Sequence, residues 1–229
     1  CDAETKDHNQ IMKQIHVFTV FGTPKSFYDG QFRYLVDQGN EIILVSSDSE
    51  GTEEFVERNH IRFIPVEMPR ALSPLAIIRA IWQVIGIIME EKPDAVFGHT
   101  PVGALCAMVA AKCCGVRNRV YYRHGVIYTT MKGIRYHIFR WEEMFVASLA
   151  TAVVNVSHSL SRLAHKDKLN SDVKQYVIGH GTCGGIDAVN IFNPALLDVN
   201  RLAVNKERLG LQDADIVYGF CGRICNDKG

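Results

Sequence analysis

The sequence carries no surplus of either charge: 25 Lys and Arg stand against 25 Asp and Glu in 229 residues, a formal net charge of zero. A broad electrostatic grip on nucleic acid needs an excess of cations, so a nucleic-acid partner is not expected. The seven cysteines are odd in number, and none forms a CxxC pair. Cys113 and Cys114 are adjacent in a stretch of small residues, a usage that fits reduced, buried thiols rather than a disulfide framework. Cys221 and Cys225 have no His or Cys partner near them in sequence, so no metal site is expected. There is neither a GxGxxG run nor a Walker A loop, which disfavours a nicotinamide dinucleotide or a P-loop nucleotide. The polar segment 1–11 (CDAETKDHNQI) has no apolar signal-peptide core. Met12-Lys13 reads as a natural start, which makes 1–11 a vector remnant or a loose tail.

No apolar run is long enough to read as a membrane span. The longest, Pro74 to Met89, is short for one and contains Arg79 and Gln83. With Gly86 and Glu90 these fall at i, i+4, i+7 and i+11, a less apolar stripe on an otherwise oily helix. The pattern predicts a helix packed on a sheet, with contact to a membrane surface as the alternative. What is present is ordinary globular composition, 47% hydrophobic and 22% charged, which excludes disordered and fibrous classes. The length suits one large domain or one and a half.

Short apolar runs at 15–20, 41–46, 61–66, 94–98, 119–123, 152–156 and 173–178 alternate with helical segments near 26–38, 51–59, 74–91, 101–114, 132–150 and 158–168. Nearly continuous apolar strands are buried on both faces, as in a parallel sheet. The alternation predicts an α/β fold, a doubly wound and mostly parallel Rossmann-like sheet. Thr100-Pro101 predicts a helix start, with Thr100 as its cap, and Gly115 and Gly39 predict helix ends. The small residues of 103–111 predict a helix lying close to the sheet. Residues 195–211 read as a helix and Asp215–Phe220 as a fresh strand. The domain reading is a tail at 1–11, one α/β domain at 12–194, and a linker helix with the opening of a second domain at 195–229.

Ligands of open parallel sheets bind outside the carboxyl ends of the strands. That rule selects the loop Gly22-Thr23-Pro24-Lys25-Ser26, whose backbone N–H groups could cradle an anion. It also selects His99-Thr100 and His124-Gly125, two histidines facing one crevice, suited to hydrogen bonding with a hydroxyl or phosphate near neutral pH. The segment 179–185 has four glycines in seven residues and permits close backbone approach to a ligand. Arg223 and Lys228 can converge on a diphosphate.

In order, these elements resemble the family-4 retaining glycosyltransferases of GT-B fold. The residues carrying the resemblance are the Gly-Thr-Pro loop at 22–24, Gly98-His99-Thr100-Pro101, Tyr-Arg-His-Gly at 122–125, Val156-Ser157-His158-Ser159, the glycine-rich run ending Gly185-Ile186-Asp187, and Gly222-Arg223 with Lys228-Gly229. They span roughly residues 12–229, most like bacterial enzymes that extend lipid-linked oligosaccharides or capsule.

The resemblance implies transfer of a sugar from a nucleotide-sugar donor to a glycan or polyprenyl-diphosphate-linked acceptor, with no metal or other cofactor. It implies that His124 reaches the reacting sugar, that Arg223 and Lys228 neutralise the donor diphosphate, and that Gly22, Thr23, Lys25, Ser26, His99, Thr100, Gly181 and Gly184 line the acceptor or sugar side. The implied location is cytoplasmic, peripheral on the inner face of the inner membrane. There the mixed cations and aromatics of 131–141 contact lipid or, alternatively, pack their aromatics inward. The family's second-domain glutamates have no counterpart here, so the chain alone is expected to be inactive as a transferase. A nucleotide-sugar epimerase on the same fold and a non-catalytic α/β binding module are the alternatives.

Overall fold

A computed structural model of the chain describes residues 11–69, 73–185, 187–190, 192–212 and 215–220. The strands are β1 (Lys13–Val20), β2 (Glu41–Ser47), β3 (Arg62–Pro65), β4 (Ala95–His99), β5 (Asn118–Arg123), β6 (Ala152–Asn155) and β7 (Gln175–Tyr176). The helices are α1 (Gly22–Phe27), α2 (Gln31–Asp37), α3 (Thr52–Asn59), α4 (Pro74–Glu91), α5 (Pro101–Cys113), α6 (Ile134–Leu149), α7 (His158–Lys166) and α8 (Val199–Arg208). All seven strands pair in parallel, in the order β3-β2-β1-β4-β5-β6-β7. The chain order reverses between β1 and β4, which opens a crevice at their carboxyl ends.

Strand alternation sorts side chains into two cores. Ile15, Val17, Ile43 and Val45 face α4, α5 and α6, while Phe18, Ile42 and Leu44 face α2 and α3. Full burial of each such side chain stabilises the fold by about 1.5–3 kcal/mol. Helix α5 lies tightly on the sheet because glycine permits it. A Cβ on Gly103 would stand 2.8 Å from the Thr19 nitrogen, and one on Gly98 would stand 2.8 Å from the Ala104 Cα. On α4, Ile77, Ala80, Val84 and Ile88 are buried against the core, while Leu75, Ile78, Trp82 and Met89 remain exposed.

Several expectations are corrected. The segment 22–26 is not a loop before a helix, because α1 begins at Gly22. The helix expected at 26–38 is two, interrupted at Gly30 (φ +80°). The side chain of Asn59 caps the second, accepting from the backbone N–H groups of Gly30 (3.2 Å) and Arg33 (3.3 Å). Thr100 does not cap α5 with its hydroxyl. Its φ is +62°, and its Oγ1 turns to Thr19, accepting from the Thr19 N–H at 3.0 Å. Ser157 does cap α7, accepting from the Leu160 N–H at 3.1 Å.

The run 173–178 contributes only the two-residue β7, after a 3-10 turn at Asp172–Lys174. Residues 215–220 form no strand; Ile216, Val217, Tyr218 and Phe220 are exposed, and a strand needs a partner ladder that these residues do not find among the described ones. The aromatics of α6 divide rather than packing wholly inward: Tyr136 and Phe139 are partly buried, whereas Trp141 and Phe145 are exposed.

Contacts divide the chain between Gly184 and Gly185, where the sequence reading places the boundary after 194. In the second unit, α8 is capped by Asp198, whose side chain accepts from Asn200 and Arg201.

Candidate functional site

The crevice end of the sheet is built on one side-chain face of three adjacent strands. Gln14, His16 and Phe18 alternate on β1. In register, His16 stands opposite Phe97 of β4, and His99 opposite Tyr122 of β5. This face of the sheet becomes a stack of rings. His16 lies flat on Phe97 (centroids 4.3 Å apart), and His99 on Phe18 (4.0 Å). The three histidines form a row, with His16 Nδ1 3.1 Å from His99 Nε2 and His99 Nδ1 3.3 Å from His124 Nε2. The Tyr28 hydroxyl lies 3.1 Å from the same His99 Nδ1.

His124 is held from behind by its neighbour. Arg123 is fully buried, and its guanidinium donates to Glu143 of α6 (3.0 Å), Asn155 (3.1 Å) and Asn170 (3.1 Å). Tyr121 donates to the same carboxylate. Of the Tyr-Arg-His-Gly run, Arg123 is therefore a structural anchor, while Tyr122 and His124 are half-buried and Gly125 is exposed.

At the carboxyl ends of β1 and β4, on the α5 and α6 side of the sheet, lies an apolar cavity of about 910 Å³ that none of the three histidines lines. Thr19, Thr100 and Val102 form one wall, and Arg135, Ile138, Phe139 and Glu142 of α6 form the other. Residues 135, 138, 139 and 142 recur at helical spacing, so one face of α6 lines the cavity. The Oε1 of Glu142 is buried without a hydrogen-bond partner. A second cavity of about 910 Å³, lined by Trp82, Ile85 and Val116, sits where Asp94 and Asn118 begin the strands. That is the opposite edge from the one ligands use in such sheets.

The site residues expected from sequence separate. His99 and His124 come together, and Thr100 reaches the cavity. His99 is completely buried in this unit. Gly22 instead lines a smaller hollow of about 360 Å³ with Ser47, Asp48 and Glu67. Lys25 turns toward the loop after β2, where a Cβ on Gly51 would stand 2.8 Å from its Nζ. Thr23 is partly buried, and Ser26 is exposed on α1. Gly181 (φ +98°) leaves no room for a Cβ against the Val156 carbonyl, and Gly184 none against that of Phe27. These glycines serve close chain packing. Arg223 and Lys228 lie outside the described residues.

Residues 31–182 match Glycosyltransferase Family 4, well over half of the chain. The chain belongs to that family. It is 28% identical over 220 residues to the capsular polysaccharide biosynthesis glycosyltransferase CapM of Staphylococcus aureus, covering 95% of this chain and 56% of CapM. Among solved structures, a glycosyltransferase from Rickettsia africae superposes with a TM-score of 0.64 at 17% identity, covering 90% of this chain and 51% of that one. Anabaena HepE, in complex with UDP and glucose, superposes with a TM-score of 0.61 at 14% identity, covering 87% and 50%. These likenesses agree with the α/β Rossmann-like half of a GT-B fold. The chain spans about half the length of the relatives it matches.

In this family-4 domain the histidine row carries no charge. Burial lowers His16 to about 3 and His124 to about 4. Burial, with His16 and His124 beside it, holds His99 well below its ordinary value. The row is therefore neutral at pH 7. Burial, and then the charge of Glu143, raises Glu142 to about 7. A neutral imidazole and a carboxyl near its midpoint can each exchange hydrogen bonds with a hydroxyl without carrying a fixed charge into an apolar site. Among the described residues no group of three His, Cys, Asp or Glu side chains could hold a metal ion. No described helix is long and apolar enough to cross a membrane.

Sequence reasoning passed over His16, Tyr28 and Glu142. His16 was detectable as a polar residue at a core position of an apolar strand. Tyr28 and Glu142 carry no such signal, because their importance comes from what folds against them.

Proposed function

We propose that the unit ending at Gly184 is the acceptor side of a retaining glycosyltransferase of bacterial surface polysaccharide synthesis. The sugar passes from a nucleotide-sugar donor to a hydroxyl of a glycan or polyprenyl-diphosphate-linked acceptor. The bond from the anomeric carbon to the donor diphosphate breaks, and a bond from that carbon to the acceptor oxygen forms on the same face. His124 holds a hydroxyl of the transferred sugar. Arg223 and Lys228 stabilise the charge that builds on the departing diphosphate, the point at which fixed cations lower the barrier.

The observation that carries this reading is the apolar cavity at the carboxyl ends of β1 and β4 in a family-4 domain. Its apolar walls suit the carbon face of a sugar or the first isoprene units of a lipid carrier, and Glu142 and Arg135 suit the polar head. The stripe of Ile134, Ile138, Trp141 and Phe145 on α6 is exposed and supports peripheral contact with the cytoplasmic face of the inner membrane. The nucleotide sugar is supported by HepE, which is in complex with UDP and glucose.

The test is binding and turnover. The chain is titrated with a short-chain polyprenyl-diphosphate sugar and, separately, with a free oligosaccharide. The longest natural form of the protein is then incubated with a panel of nucleotide sugars, with and without acceptor. Nucleoside diphosphate release that requires acceptor and is lost in His124→Ala is the expected result. Interconversion of the nucleotide sugar without acceptor would assign an epimerase instead. Absence of both acceptor binding and turnover would sink the reading.

A further inference from the structure

The row of histidines is the inner part of a longer hydrogen-bonded chain, and its far end has a fixed direction. Asn40 is oriented by two backbone groups: its Nδ2 donates to the Leu35 carbonyl (3.0 Å), and its Oδ1 accepts from the Met12 N–H (3.2 Å). The same Oδ1 lies 3.2 Å from Gln14 Nε2, which must therefore donate to it. The other atom of that amide, Gln14 Oε1, then faces His16 Nε2 at 3.3 Å and can only accept. Turning the Gln14 amide over would set two oxygens against each other at the Asn40 end.

Each ring passes the constraint to the next. His16 carries its proton on Nε2, which leaves Nδ1 as an acceptor for His99 Nε2–H at 3.1 Å. His99 Nδ1 is then an acceptor too, and two groups address it: the Tyr28 hydroxyl at 3.1 Å and His124 Nε2 at 3.3 Å. The Tyr28 hydroxyl also pairs with the Cys183 thiol, so the single lone pair of His99 Nδ1 is shared between Tyr28 and His124. If His124 Nε2 lacked its proton, two lone pairs would meet at that distance in a buried setting. His124 Nδ1 has no hydrogen-bond partner among the described residues.

We propose that Gln14, His16 and His99 are positioning residues that hold His124 in its Nε2–H tautomer and so present Nδ1 to the crevice as a hydrogen-bond acceptor. A neutral imidazole left to itself exchanges between donor and acceptor at either nitrogen, and the hydrogen bond made by one nitrogen decides the role of the other. Anchoring the row on a backbone N–H and a backbone carbonyl removes that freedom. The group recognised at Nδ1 is a hydroxyl that donates, the chemistry of a carbohydrate rather than of a phosphate, which only accepts. That last identification rests on the proposed transferase reading; the tautomer assignment does not.

The experiment is a long-range 1H–15N correlation of the imidazole rings in the 15N-labelled chain at pH 7.5, without substrate. A pyrrole-type Nε2 and a pyridine-type Nδ1 are expected at His16, His99 and His124. A pyrrole-type Nδ1 at His124 in the unmodified chain would overturn the proposal, whatever any variant does. Gln14→Met removes the acceptor that sets the direction, and His124 is then expected to show two averaged nitrogens or the reversed pattern. An unchanged His124 in folded Gln14→Met would show that the row does not control it. Because the spectrum needs no donor or acceptor, its failure is distinct from a failure of the transferase assay.

Discussion

Acidification from pH 7 to pH 5 should destabilise this chain through its buried histidines, and the structure sets the size of the effect. His16 has a folded value of about 3 and His124 of about 4, against 6.5 for the ordinary imidazole. Both are depressed, so below 6.5 the unfolded chain binds protons that the folded chain refuses, and the folded state loses ground as pH falls. Between pH 7 and pH 5 each of these two histidines withdraws about 2 kcal/mol. His99 acts in the same direction. Glu142 acts against them, because its folded value of about 7 lies above the ordinary 4.5, and its protonation returns about 2 kcal/mol over the same interval.

The decisive comparison is with His16→Phe, which keeps an aromatic ring against Phe97. At pH 7 it is expected to be less stable by about 1–3 kcal/mol, the cost of leaving the buried His99 Nε2–H without an acceptor. On moving to pH 5 it should lose about 2 kcal/mol less than the unmodified chain, so that the two nearly coincide. Urea unfolding followed by far-UV circular dichroism is the assay, because Trp82 and Trp141 are already exposed in the folded state and their fluorescence would report unfolding poorly. Equal losses in the two proteins would refute the argument that His16 is buried neutral.

Glu142→Gln removes a carboxylate whose Oε1 is buried without a partner and should stabilise the chain at pH 8 by up to about 3 kcal/mol, shrinking to about 1 kcal/mol at pH 5, read from urea midpoints. The same change should weaken binding of a hydroxyl-bearing acceptor if the cavity holds it. Arg123→Met strands Glu143 in the interior and should cost about 3–5 kcal/mol, measured by denaturant unfolding. Gly103→Ala drives a methyl into the backbone of Phe18 and Thr19 and should cost about 1–3 kcal/mol in thermal unfolding, with the Thr19–Thr100 hydrogen bonds disturbed.

The sequence by itself determined the layers of this protein. Apolar strands too short and too continuous to be helices, separated by helical segments, leave little choice but a parallel sheet covered on both faces. The glycines at 98 and 103 and the alanines that follow mark the helix that lies closest. The positions of His99 and His124 at strand ends were legible for the same reason, since strand termini are set by local pattern.

What only the tertiary structure decided is which of these residues touch. Gln14, His16 and Phe18 share a face by simple alternation, but their juxtaposition with Phe97, His99 and His124 needs β1 beside β4 and β4 beside β5. Strand order is a property of the whole sheet, and no local run of residues encodes it. The same holds for Glu142 and Glu143, adjacent in sequence and unlike in fate. The turn of α6 aims one at Arg123 and the other into an apolar cavity. A helix advances its side chains by about 100° per residue, so neighbours in sequence need not share surroundings, and only the packing of the helix says which one meets a partner.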